Sequence, residues 1–451
     1  MAAQNNTASV SADSLDAPRL NQRLVMFPMW FFQGYLTITV FIFAFGPWPW
    51  PVPDPWLLYS FLFCAQIALW LGYKTGLKYQ NGSYFGRFEV VTLVKVSLVL
   101  NIIWIIPSFM LRLGIEHLDF DTIMTAIATG FIDPADMYKA RIAAQNELES
   151  TPFFGYIALL IAPILWLIVP LGVFYWNKLN RLTRVSFVFF VIADLLSWVA
   201  IGTNKGIADF VVLMPWLLIA RNPELITHIK PANILKFIFI TLVGLTLLYS
   251  FFIIGMSGRA GGSIPTYMES ANIEINKNNW MVSLLPPEGQ GAVAATTSYL
   301  VQGYYGLSLA IQEPFEFCYG VGNSYYLTGL AKQILGVGNV TDRTYPARIE
   351  KYGWDSIKNW HSFYTWIASD FSFPGTIVVV FLIGRLFAMV WMDVIRKVNP
   401  FAVALFALLI IMLFYFPANN QVFAFSGTAN SFFVLFVCWI ITRKRNVILK
   451  K

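Results

Sequence analysis

Apolar runs close to the length of a membrane span recur along most of this chain, separated by short segments that carry many of its cations. Crossing the hydrocarbon core of a bilayer takes about 20 predominantly apolar residues. Inside hydrocarbon every backbone N–H and C=O has to be satisfied within the protein, so such runs are expected to be helices. Residues 24–45, 56–73, 90–111, 153–176, 185–203, 207–220, 234–254, 372–395, 401–416 and 422–441 are read as spans. The expected fold is an all-α polytopic membrane protein with about ten transmembrane helices. Composition agrees: 12% of the 451 residues are charged, against about 25% in soluble domains.

The cations give the orientation. Lys74, Lys78 and Arg87, then Lys178, Arg181 and Arg184, then Arg221, Lys230 and Lys236, then Arg396 and Lys397, and finally a basic tail over 442–451, alternate with segments poor in positive charge. The positive-inside bias puts all of these, and both termini, on the cytoplasmic face. The net charge of +7 therefore reflects topology and gives no reason to expect a nucleic-acid partner. The polar stretch 1–23 is read as a disordered cytoplasmic tail. No small-residue cleavage site follows the first apolar run, which is read as a retained span. Residues 24–254 form the first seven spans, with an acid-rich outer segment over 112–152. In it DFDTIMTAIATGFI has the spacing of a helix lying along the membrane surface. Residues 255–371 form one long outer loop, and 372–441 the last three spans. Within the loop, 291–310 is apolar enough to be a short span or a re-entrant helix. Cys64, Cys318 and Cys438 are far apart and form neither a disulfide framework nor a metal-ligand spacing.

The loop is where chemistry is expected. Arg259 sits in GMSGRAGG, where a guanidinium is free to grip a phosphate bidentately. Arg343 and Arg348 follow, with a Pro between them. Gln302, Tyr304 and Tyr305 belong to a Tyr- and amide-rich stretch suited to sugar faces and hydroxyls. Glu313 and Glu316 are read as exposed charges. His361, Thr365 and Ser369 are spaced to share one helical face toward the outer opening, with Asp370 beside them as a cap or pairing group. His361 is the candidate base or hydroxyl orienter. Lys205 lies on the tight outer turn GTNKG. Asp194, Asp209 and Arg385 fall inside apolar runs and Lys95 near the end of one. Ionisable groups there are costly and expected to be paired, with Asp194–Arg385 the proposed pair.

Four of these elements resemble bacterial O-antigen polymerases and ligases: the GTNKG turn, the Arg after a span, SYLVQGYYGLSLA, and WHSFYTWIASDFSFPGTIVV closing the loop. Together with the architecture they are similar to the Wzy-type oligosaccharide repeat-unit polymerases among the GT-C-like membrane glycosyltransferases. Lys205 stands where that family's turn commonly has Arg, and the second Gly of the closing pattern is missing. The resemblance implies a glycosyltransferase of the inner membrane whose site faces the periplasm and which uses neither metal nor cofactor. It would join oligosaccharide repeat units carried on undecaprenyl pyrophosphate, in the membrane lipid, with a chain-length regulator as a possible protein partner. Lys205, Arg259, Arg343 and Arg348 would hold the pyrophosphate. Gln302, Tyr304, Tyr305 and Asp370 would line the glycan path, with His361 and Arg259 catalytic. An O-antigen-ligase-type transferase is the alternative, and a lipid-linked sugar transporter or flippase a more distant one.

Overall fold

In a computed structural model of the protein, residues 21–78, 83–84, 89–113, 119–139, 152–227, 231–336, 340–396 and 399–444 are described. Of the tails expected over 1–23 and 442–451, residues 1–20 and 445–451 lie outside them, as do Arg87, Lys230 and Lys397 of the basic segments and the acidic residues Glu116, Glu147 and Glu149.

The protein is an all-α membrane protein. Its main helices are α1 (Gln22–Phe45), α2 (Pro55–Leu77), α3 (Val90–Leu113), α4 (Phe120–Ile132), α5 (Pro152–Trp166), α6 (Ile168–Phe174), α7 (Arg181–Ala200), α8 (Lys205–Arg221), α9 (Pro231–Arg259), α10 (Pro287–Ala310), α11 (Tyr325–Leu335), α12 (Phe363–Ile395), α13 (Pro400–Tyr415) and α14 (Ser426–Thr442). Among the described residues, seven segments are long and apolar enough to cross a membrane: Gln22–Phe45, Pro55–Leu77, Val90–Met110, Gly155–Phe174, Arg181–Ala200, Thr241–Arg259 and Phe363–Ile395. Helices α8, α13 and α14 coincide with the remaining apolar runs but are shorter.

Helix α13 explains how a short helix is tolerated. From Pro400 to Leu413 every side chain is buried, as expected of a helix that is apolar all round and surrounded by protein. Its backbone carbonyls also receive hydrogen bonds from two neighbours, Tyr35 of α1 to Phe414 (2.7 Å) and Trp166 of α5 to Ala404 (3.2 Å).

The tightest helix pair is α2 against α12. The two run parallel: Gly72 abuts the Phe381 carbonyl, Gly76 the Arg385 carbonyl, and Gly384 the Leu69 carbonyl. No hydrophobic force drives helices together in lipid, so small residues that let backbones touch are what makes van der Waals packing pay.

Several expectations about helix ends are corrected. The fourth apolar run is broken at Leu167 into α5 and α6. Helix α9 continues to Arg259, which therefore sits in a last helical turn, where a cation suits the helix dipole. Helix α12 begins at Phe363, capped by the Ser362 hydroxyl, and bends at Ser372 (φ +57°), two residues before Pro374. His361 thus precedes the helix and shares no helical face with Thr365 and Ser369. Both of those are buried, Thr365 against Ser362 and Ser369 accepting the Tyr345 N–H. The apolar segment 291–310 belongs to the 24-residue helix α10, buried throughout from Val301 to Ala310 and packed along the end of α1. Gly303 lets it approach the carbonyls of Pro417 and Ala418.

Candidate functional site

A cavity of about 1070 Å³ opens where α3, α7, α8, α9 and α10 converge with the start of α14. Three cations line it, Arg112, Lys205 and Arg259, with two carboxylates, Asp194 and Asp209. Each cation arrives by a different route, and each is held by a particular contact.

Lys205 is the first residue of α8. The turn before it depends on Gly202, whose φ of +62° and contact with the Pro134 carbonyl exclude any side chain. Asn204 makes no side-chain cap, so the first N–H groups of α8 are left for another acceptor. A lysine at a helix N-terminus opposes the dipole. Its ammonium is balanced by Asp209 one turn on, at 2.9 Å, and lies over the Phe425 ring. The other oxygen of Asp209 is buried with no partner among the described residues.

Arg259 comes from the far end of α9. Its Nη2 donates to the Gly202 carbonyl at 3.0 Å and its guanidinium stacks on Tyr138 at 3.9 Å. Its Nε is buried without a hydrogen-bond partner among the described residues. Arg112, in the last turn of α3, stacks on Trp198 at 4.0 Å, pairs with Asp194 at 3.2 Å and donates to Ser197. The Lys205 ammonium is 5.9 Å from the same Trp198 ring. Gly206 is required because that indole rests on it.

An uncapped helix N-terminus with a lysine and two arginines around it is suited to a phosphate or pyrophosphate. The aromatic wall continues through Tyr299 and Trp360, 4.7 Å apart and nearly edge to face.

In place of the expected partner Arg385, Asp194 meets Arg112 in this cavity, and Arg385 lines a different one. The other expected site residues lie elsewhere. Arg348 is tied to the buried Glu313 (3.1 Å), which also takes Lys351 and the Tyr352 hydroxyl. Burial pushes the Glu313 carboxyl up, but these partners outweigh it and hold it below the usual range. So Glu313 is not the exposed charge expected, whereas Glu316 is exposed. Arg343 bonds the Tyr319 hydroxyl at the surface. Asp370 uses both oxygens on the loop before α11, accepting the N–H groups of Gly320 and Asn323 and the Asn323 amide. Tyr304 bonds Thr39 inside the bundle, Tyr305 stacks on Trp50, and Gln302 is buried beside them.

His361 is 1% exposed and is not part of the cavity wall, although its neighbour Trp360 is. Its Nε2 is 3.3 Å from the Asp355 carbonyl, and its Nδ1 has no partner among the described residues. Burial brings its pKa down to about 4. A histidine that stays neutral in the fold stabilises it above the unfolded pKa of about 6.5, and this stability is lost as pH falls through about 4. Thermal stability in detergent is expected to fall from pH 7 to pH 4. His361→Gln should flatten that dependence by roughly 3 kcal/mol, and an unchanged profile would contradict the assignment.

Arg112, Tyr138 and Trp198 are the site residues that sequence reasoning missed. Arg112 did carry a signal: it is a cation at the end of a run whose far side should be poor in cations. No family model, curated protein or solved structure matches this chain. The class defined by the fold is that of an all-α membrane protein, here with a large, cation-lined cavity.

Proposed function

We propose that the protein is a glycosyltransferase that polymerises oligosaccharide repeat units carried on undecaprenyl pyrophosphate, acting at the periplasmic face of a bacterial inner membrane. The observation that carries this reading is the convergence of Arg112, Lys205 and Arg259 around the uncapped start of α8 in one large cavity. In the reaction the bond from the sugar's anomeric carbon to the pyrophosphate oxygen breaks, and a bond to the acceptor hydroxyl oxygen forms. The leaving pyrophosphate gains negative charge, which donors already in place stabilise without reorganisation. The hydroxyl proton passes to Asp194, held at the wall by Arg112 with its side chain 35% exposed. The aromatic rings of Tyr299 and Trp360 suit sugar rings. This moves the base from His361 to a carboxylate. It also removes Arg343 and Arg348 from the pyrophosphate site, and Gln302, Tyr304, Tyr305 and Asp370 from the glycan path. A ligase-type transferase would use the same chemistry with a different acceptor.

Two carboxylates paired with cations inside one cavity also favour a second reading, a proton-coupled carrier of lipid-linked sugars. Purified protein in detergent, given undecaprenyl-pyrophosphate-linked repeat units, separates the two. A ladder of lengthened products is expected, and Arg112→Gln should reduce its rate by about a hundredfold. Absence of product in detergent, with gradient-driven transfer of the same lipid in vesicles, would establish the carrier.

A further inference from the structure

A second cavity, of about 590 Å³, runs between α12, α13 and α14, away from the first. Its walls are hydrocarbon and aromatic, among them Leu386 and Met389 of α12, Met412 of α13 and Phe436 of α14. Two of its lining residues, Leu382 and Phe433, are about half exposed on the flank of the bundle, so the groove is open to lipid. Two arginines also line it, Arg385 and Arg443.

Arg443 is a built element. Its side chain is 7% exposed and its Nε lies 3.0 Å from the fully buried Asp393 carboxylate, which also accepts the Trp439 indole N–H at 2.9 Å. Its backbone is pinned by antiparallel pairing with Tyr84. The guanidinium's Nη2 remains buried with no hydrogen-bond partner among the described residues. An unsatisfied charged donor at the end of an apolar groove is costly, and a phosphate oxygen would satisfy it. Arg443 lies at the end of the bundle where the short connections carry Lys and Arg, so an anionic headgroup is favoured over a zwitterionic one.

We propose that this groove binds one anionic phospholipid, its acyl chain between α12 and α14 and its phosphate on Arg443. The site is separate from the catalytic cavity and does not depend on the function assigned to it. The test is native mass spectrometry of the full chain in detergent, offered phosphatidylglycerol, phosphatidylcholine or farnesyl phosphate. Phosphatidylglycerol should be retained over phosphatidylcholine by about tenfold, because both offer the phosphate but only phosphatidylglycerol keeps a net negative charge at the basic end of the bundle. Arg443→Gln should erase the preference, and Leu386→Trp, which fills the groove, should reduce retention of both. Equal retention of the two phospholipids by the wild type would overturn the proposal, as would an undiminished preference in Arg443→Gln. Preferential retention of farnesyl phosphate would overturn it in favour of an isoprenyl ligand. If Arg443→Gln does not fold, the wild-type competition and Leu386→Trp decide.

Discussion

Arg259→Gln is expected to leave the protein in the membrane at normal levels and to remove long glycan chains from the product ladder. The guanidinium is held from two sides, by the Gly202 carbonyl and the face of Tyr138. It is therefore positioned before any substrate arrives, which is the condition under which a charged donor acts on a transition state instead of on the ground state. Loss of one such donor costs about a hundred- to a thousandfold in rate. Arg259→Lys keeps the charge at the end of α9 but loses the planar fork and the stacking, so it should recover only part of the activity. The stability effect should be small, because Gln is a good helix former and the residue is in a terminal turn. A full-length ladder from Arg259→Gln at wild-type abundance would remove Arg259 from the site.

Gly72→Leu should have the largest effect on folding. Gly72 lies against the Phe381 carbonyl with no room for a Cβ, and the obstacle is backbone, which cannot swing aside. The only relief is to separate α2 from α12, which also undoes the contacts at Gly76 and Gly384. A loss of about 3 kcal/mol is expected, the upper end of overpacking costs, seen as a lower melting temperature in detergent and lower abundance in the membrane. Gly34→Leu is the control: nothing lies within 4 Å of the Cβ it would gain, so it should be nearly neutral. Equal melting temperatures for the two variants would show that the α2–α12 contact does not hold the bundle together.

The helices were legible for a local reason. A run such as 24–45 or 90–111 contains in itself the information that it is a helix, because hydrocarbon permits an isolated segment little else. Even the close α2–α12 pair has a local trace, since Gly72 and Gly76 are four residues apart on one helix. The helix ends were less legible. The polar first turns of α12 read as loop, and only the bend at Ser372 marks where the apolar run began.

The site was legible in part. Lys205 and Arg259 stood out as cations outside the basic segments, and the structure brings both into one cavity. His361, Asp370, Tyr304 and Tyr305 stood out by residue type in a promising stretch, and they are spent on the interior or on a loop. Residue type in a long loop does not say which way a side chain faces.

By itself, then, the sequence determined that the chain is a helical membrane protein, because apolar length and charge bias act on each segment separately. Which polar groups meet was decided only by the tertiary structure. Arg112, Lys205 and Arg259 sit on three helices distant in sequence, and they converge because Gly202 admits the Pro134 carbonyl and Gly206 the indole of Trp198. Those contacts are properties of packed backbones and have no counterpart in the composition or periodicity of any one helix.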